Sequence, residues 1–175
     1  VSAGATINTG NETAFTTLLN NEVAGLITLT DQNLHVSSGF ISVDTANLLN
    51  ATTEGTVTAS ITSTERVSEL TTLTETTNAY TIVIPVDDAA VSASDLNTIN
   101  DTTTVAVDLT NVTSLTSSSL VDLGTLSTAI GLNQFSNDSG ITTIAVSDTI
   151  IDATTLASTI DAYDSINGSG TTDMM

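Results

Sequence analysis

Two kinds of segment alternate along this chain, and their spacing limits the folds open to it. Short runs rich in Val, Ile and Thr read as strands at 26–30, 40–43, 56–61, 80–86, 105–109 and 141–146, and several alternate apolar with polar residues. Between them, apolar residues fall three or four apart, the spacing of one helical face. These helical segments resemble one another. The run 46–57 aligns without a gap on 94–105, and 68–78 fits the same frame with one extra residue before its strand. The anchoring leucines Leu48, Leu70, Leu96, Leu120 and Leu156 are 22, 26, 24 and 36 residues apart. Intervals in the twenties are those of solenoid repeats.

A small residue, mostly Ser or Thr, stands two before each anchor. A helix can begin there because a hydroxyl accepts hydrogen bonds from orphan backbone N–H groups. Each leucine, with an apolar residue three or four later, gives one buried turn. Segment 120–132 extends the helical pattern, and 133–140 is a polar loop. The N-terminal stretch fits the frame least, and 13–21 reads as a helix that covers one end.

A strand plus one helical turn has an apolar edge it cannot bury alone, so successive units must bury it jointly. The expected fold is a β-rich repeat protein, a solenoid-like stack of parallel strands with short helical turns. A β-sandwich or a two-layer α/β domain is the alternative. The expected organisation is a cap or linker over 1–23, irregular strand and helical-turn repeats over 24–165, and a flexible tail over 166–175. The expected core holds the five anchoring leucines, with Ile82, Ile84, Val105, Val107 and Ile144 on the strands.

Composition narrows the chemistry. Twenty acidic residues face a single cation, Arg66, for a formal net charge of −19. Only 12% of residues are charged and mean hydropathy is +0.26, unlike an acidic disordered tail. Ser and Thr supply about a third of the chain; Thr on an outer sheet face packs well and still bonds water. Without Cys there is no disulfide, thiolate nucleophile or Cys-based metal site. One histidine, His35, gives no cluster for a transition metal and little scope for a Ser–His–acid triad. Nothing here neutralises a row of phosphates, so neither nucleic acid nor an anionic membrane surface is an expected partner. The apolar strings are too short to cross a bilayer. No basic leader precedes an apolar run, which reads as a processed product or a piece of a longer chain.

The run 91–107, VSASDLNTINDTTTVAV, has a Ser-Asp-Leu-Asn-Thr-Ile-Asn helix start, a Thr-rich turn and a Val-Ala-Val-Asp strand. With 78–82 (NAYTI), 140–148 (GITTIAVSD) and the Leu-Ala-Ser-Thr-Ile stretch after it, this run resembles the repeats of giant cell-surface proteins of marine cyanobacteria, of the swimming-motility type. The resemblance covers roughly 56–165, and such repeats also look like pieces of phage fibres. The intervals here are less regular, and the first forty residues do not match. What the resemblance implies is a secreted, non-catalytic structural role, with no functional residues to carry over.

Acidic residues recur where the expected strands end: Asp31, Asp44, Asp87, Asp88, Asp108 and Asp148. Aligned along one edge of a stack, they would offer the oxygen ligands of a structural Ca²⁺; Asp is equally a good turn and cap residue. Neither an EF-hand loop nor a Gly-Gly-x-Gly-x-Asp nonapeptide is present. Six Asn-x-Ser/Thr sequons occur, at Asn11, Asn50, Asn100, Asn111, Asn137 and Asn167. Asn50 and Asn100, each in the helical segment of its repeat, are the preferred glycosylation candidates. Glu65, Arg66, Glu69 and Glu75 form the one charged cluster, read as a solvated helical face rather than glycosidase carboxylates. His35 reads as a lone packed or surface residue. The few aromatics read as core fillers rather than a sugar-stacking platform.

These features point to a non-catalytic building block of an extracellular assembly: a surface layer, fibre, adhesin or filament subunit. It would associate with itself or with other subunits. A phage virion component, such as a fibre or capsid-decorating protein, is the alternative. A polysaccharide-binding or polysaccharide-cleaving β-helix is a third class, and it asks for an acidic, aromatic groove this composition supplies poorly.

Overall fold

The computed structural model describes residues 4–147; Asp148, Leu156 and Asn167 lie outside them, as does the segment 166–175. The order of elements is β1 (Thr6–Thr9), α1 (Glu12–Val23), β2 (Asn33–Val36), α2 (Val43–Thr52), β3 (Val57–Ser60), α3 (Val67–Leu70) and β4 (Ala79–Thr81). A 3-10 turn at Val86–Asp88 leads to β5 (Ala90–Val91), α4 (Ala93–Asn100), β6 (Val107–Asp108), β7 (Ser114–Ser118), α5 (Leu120–Gly131), β8 (Phe135–Ser136) and β9 (Thr143–Val146).

The molecule is a mix of parallel-stranded sheets and helices, and none of its sheets closes into a barrel. The first sheet runs β1-β2-β3-β4, the second β5-β7-β9 and the third β6-β8. Every strand pair is parallel. In the first sheet, Thr6 lies opposite Asn33, Leu34 opposite Val57, and Thr58 opposite Ala79. Chain neighbours can pair in parallel only across a crossover of a dozen or more residues, and α1, α2 and α3 supply those crossovers. Single bridges from Ile41 to Ile61 and from Val83 to Asp108 extend the pairing past the strand ends.

Alternation decides which residues meet inside. Leu34 and Val36 of β2 are buried beside Val57 and Ala59 of β3, while Asn33 and His35 are half-buried on the other face. The helices close the core with residues three apart: Ala46 and Leu49, Leu96 and Ile99, then Leu123 and Leu126. Each leucine or isoleucine among them, removed from water, contributes roughly 1.5–3 kcal/mol. Tyr80 is fully buried; its hydroxyl accepts from Asn78 Nδ2 at 3.0 Å and donates to the Ala46 carbonyl at 3.4 Å.

Several expectations need correction. Segment 26–30 is not a strand, because α1 ends in a turn through left-handed Gly25 (φ 72°) that leaves Leu26 exposed. The strand forms instead at Asn33–Val36, where Leu34 and Val36 face the core. At 40–43 only Ile41 pairs, Phe40 is exposed, and Val43 opens α2. Strands β1, β2, β5, β7 and β8 fall outside the expected runs.

The helix frame also shifts. Leu48 is 55% exposed while its neighbour Leu49 is fully buried. Helices begin after Ser42, Arg66, Ser92 and Ser119, not two residues before the anchors. In burial, segment 42–57 matches 92–107 at every position but Thr52 and Thr102, two positions away from the sequence alignment, and pairs Ala46 with Leu96 and Leu49 with Ile99. Leu70, Leu96, Ile82, Ile84 and Val107 are core residues, whereas Leu120, Val105 and Ile144 are half-buried.

Candidate functional site

The first N–H groups of a helix have no partner within it. At the start of α2, Ser42 Oγ accepts from Thr45 N at 3.1 Å. Glu65, from the loop between β3 and α3, accepts from Val43 N through Oε1 at 3.2 Å. Glu12, at the start of α1, reaches forward: its Oε1 accepts from Thr45 Oγ1 at 2.6 Å and from Ser42 N at 3.3 Å. At α3, Val67 N donates to Asp88 Oδ2 at 2.7 Å, and Arg66 N donates to Glu69 Oε2 at 2.6 Å. At α4, Ala93 N donates to Ser118 Oγ at 2.9 Å. The first amide of three successive helices is therefore capped by a side-chain oxygen from 21 to 25 residues further along.

Local boxes complete the corner. Ser92 Oγ accepts from Asp95 N at 3.1 Å and donates to Asp95 Oδ2 at 2.8 Å; Ser119 and Asp122 repeat the pattern at 3.1 and 2.6 Å. This Ser-x-x-Asp signature is readable in a sequence, at Ser92 with Asp95 and at Ser119 with Asp122. The first turns of α1 to α5 carry Glu12, Asp44, Glu69, Asp95 and Asp122, and no basic residue stands in a last turn. Carboxylates there meet the positive end of the helix dipole. Part of the −19 charge is thus placed where backbone N–H groups accommodate it.

The titration of these groups follows their surroundings. Burial pushes the Glu65 carboxyl up, against the Val43 N–H bond, and Glu69 and Asp44 nearby add to the rise. Burial also acts on Asp108, but bonds from Asn137 and Thr110 outweigh it and hold the group below its usual range. Burial raises the Tyr80 phenol, so it stays a neutral hydrogen-bonding group.

The Asp residues expected at strand ends are dispersed among donors. Asp31 accepts from Gln32 Nε2 at 2.8 Å. Asp44 lies exposed in the first turn of α2. Asp87 and Asp88 face Arg66 at 3.6 and 3.3 Å. Asp108 accepts from Thr110 N at 2.8 Å and Asn137 Nδ2 at 2.9 Å. Asp148 lies outside the described residues. Among the described residues, no three His, Cys, Asp or Glu side chains are grouped so as to hold a metal ion. Of the charged cluster, Glu65 and Glu69 cap amides, while Glu75 turns away with φ 82° and accepts from Thr76 N.

The sequon asparagines have bonds of their own. Asn50, in α2, donates to Thr74 Oγ1 at 3.3 Å and accepts from Asn78 Nδ2 at 3.0 Å. Asn100, at the end of α4, donates to Gln134 Oε1 at 3.3 Å. Asn11 caps α1, Asn111 donates to the Ile84 carbonyl, and Asn137 sits in the left-handed region beside Asp108. No helix of the described residues is long and apolar enough to cross a membrane. Comparison of the chain with protein-family models, with curated proteins and with solved structures finds no match.

Proposed function

We propose that this chain is a non-catalytic structural module of an extracellular or cell-surface assembly, a layer, fibre, adhesin or filament subunit. In this reading, its units continue as a solenoid-like stack. The observation that carries the proposal is the capping of α2, α3 and α4 by side chains 21 to 25 residues further along, combined with a first sheet whose strands follow chain order. Such side chains hold a unit to its successor and leave the interior to aliphatic packing. Among the described residues, β1 pairs on one side only, with β2. An unpaired strand edge is a template for another chain, and parallel order makes the contact head-to-tail, which gives a ring where the rotation closes and an open filament where it does not.

Calcium enters as a structural counter-ion, since −19 on a 175-residue chain repels itself unless cations screen it. Glycans at Asn50 or Asn100 would mark the secreted context. The test is light scattering and negative-stain imaging of the purified chain in about 10 mM Ca²⁺ and in chelator, a concentration far above that of millimolar extracellular sites. Filaments or sheets that dissolve on chelation support the reading. A closed oligomer indifferent to Ca²⁺ favours a virion component instead, and a monomer under both conditions contradicts self-assembly of this chain.

A further inference from the structure

Arg66 is the only Lys or Arg in the 175 residues, so Arg66–Val67 is the only bond a trypsin-like protease can select. That bond lies at a corner where two units meet. The Arg66 guanidinium contacts Asp88 Oδ1 at 3.3 Å and Asp87 Oδ2 at 3.6 Å. The N–H of the same peptide bond, on Val67, donates to the other Asp88 oxygen at 2.7 Å. Arg66 N is held by Glu69 at 2.6 Å. One carboxylate therefore engages both the side chain a protease must take into its specificity pocket and the amide it must cleave.

We propose that Asp88 is a protease guard, which closes the single tryptic site of a chain otherwise free of such sites. Cleavage adds the protease's serine oxygen to the Arg66 carbonyl carbon and breaks the C–N bond to Val67. The Val67 nitrogen leaves as an amine with a proton from the protease's histidine, and water then releases the Arg66 carboxylate. Before this sequence starts, Arg66 must leave Asp87 and Asp88, and Val67 N–H must leave Asp88. Cleavage then tracks the population of the opened corner, and losing a hydrogen bond to a charged group raises that population about tenfold or more.

The experiment incubates the folded chain with trypsin and follows fragments 1–66 and 67–175 by mass. A parallel digestion with a glutamate-specific protease, read from the cuts after Glu12 and Glu22 on α1 and away from this corner, reports global opening. We expect the wild type to be cut far more slowly than the heat-unfolded chain. Asp88→Ala should speed the tryptic cut about tenfold or more while leaving the glutamate-specific rate unchanged. Asp87→Ala, which removes only an exposed ion pair, should change the tryptic rate by no more than about twofold. A wild type cut as fast as its unfolded form overturns the proposal. So does an Asp88→Ala chain cut no faster than wild type, or one in which both proteases accelerate equally.

Discussion

Segments 42–57 and 92–107 are the same object built twice, with different closures. Ala46 and Leu96, Leu49 and Ile99, and Val57 and Val107 are buried at matching positions. So are Thr53 and Thr103, which act alike: each hydroxyl donates at 2.7 Å to a carbonyl of the preceding unit, Gln32 in one case and Tyr80 in the other. Each also accepts from the amide two residues on, Gly55 N at 3.0 Å or Val105 N at 3.1 Å. The closures differ. Carboxylates of Glu12 and Glu65 hold the start of α2, whereas Asp95 and the Ser118 hydroxyl hold the start of α4. The lesson is physical. A core position needs a particular volume, but an orphan N–H needs only an oxygen within reach.

The widest gap should appear between neighbours on α2. Leu49→Ala is expected to cost about 2–5 kcal/mol, because it empties a fully buried site. Leu48→Ala should stay within about 0.5 kcal/mol. Denaturant unfolding of the pair checks the shifted frame, and equal losses would restore the alignment that places Leu48 in the core.

Exchanging the residues where the two segments differ comes next. A Cβ on Gly55 would lie 2.4 Å from the Gln32 carbonyl oxygen, whereas position 105 carries a valine. Gly55→Val should therefore destabilise by about 3 kcal/mol and Val105→Gly by less, read from their unfolding midpoints.

The paired asparagines give a smaller contrast. Asn47 donates to the Thr72 carbonyl at 3.0 Å and accepts from Thr74 N and Oγ1 at 2.9 and 3.1 Å. Asn97 donates to the Asp122 carbonyl at 2.9 Å, but its Oδ1 is buried without a protein partner. The chain after α3 turns to present Thr74 N, while α5 continues as helix past the matching place. Asn47→Ala should cost about 1 kcal/mol more than Asn97→Ala in thermal unfolding.

The smallest effects are in pH, and they have opposite signs. Glu65 titrates above its ordinary value when folded, so the native state binds more protons there and stability falls as pH rises through that window. Asp108 titrates below its ordinary value, so its contribution is present above the unfolded pKa and is lost as pH falls through the folded one. Glu65→Gln keeps an oxygen for Val43 N and should flatten the first slope. Asp108→Asn should flatten the second. Unfolding midpoints between about pH 3 and 6 read both.

Part of the interior was legible in the sequence. The alternating runs identify parallel strands and helical crossovers because period two and period three to four are set by backbone geometry. Strands β3, β6 and β9 fall within expected runs, and Leu70 and Leu96 are core leucines. The frame was not legible from the leucines, because in Asn47-Leu48-Leu49 either leucine satisfies the spacing. Only the position of the Ser42 cap decides between them. Asn33–Val36 hid as a strand because Asn and His weaken a β signal that Leu34 restores only against Val57. The carboxylate caps were visible as acidic residues but not as caps. Glu65 and Asp88 reach amides more than twenty residues away, and no local pattern records that reach.

Hydrogen exchange at the amides of Val43, Val67 and Ala93 tests the central claim most directly. The first amide of a helix normally exchanges quickly, since nothing within the helix protects it. If side chains from further along the chain hold these amides, all three should exchange as slowly as backbone-bonded core strand amides such as Leu34, which donates to the Thr56 carbonyl at 2.9 Å. Glu65→Ala, Asp88→Ala and Ser118→Ala should each release only its own target. Rapid exchange of all three in the wild type, or unchanged exchange in the variants, would contradict the capping of α2, α3 and α4 by side chains further along the chain.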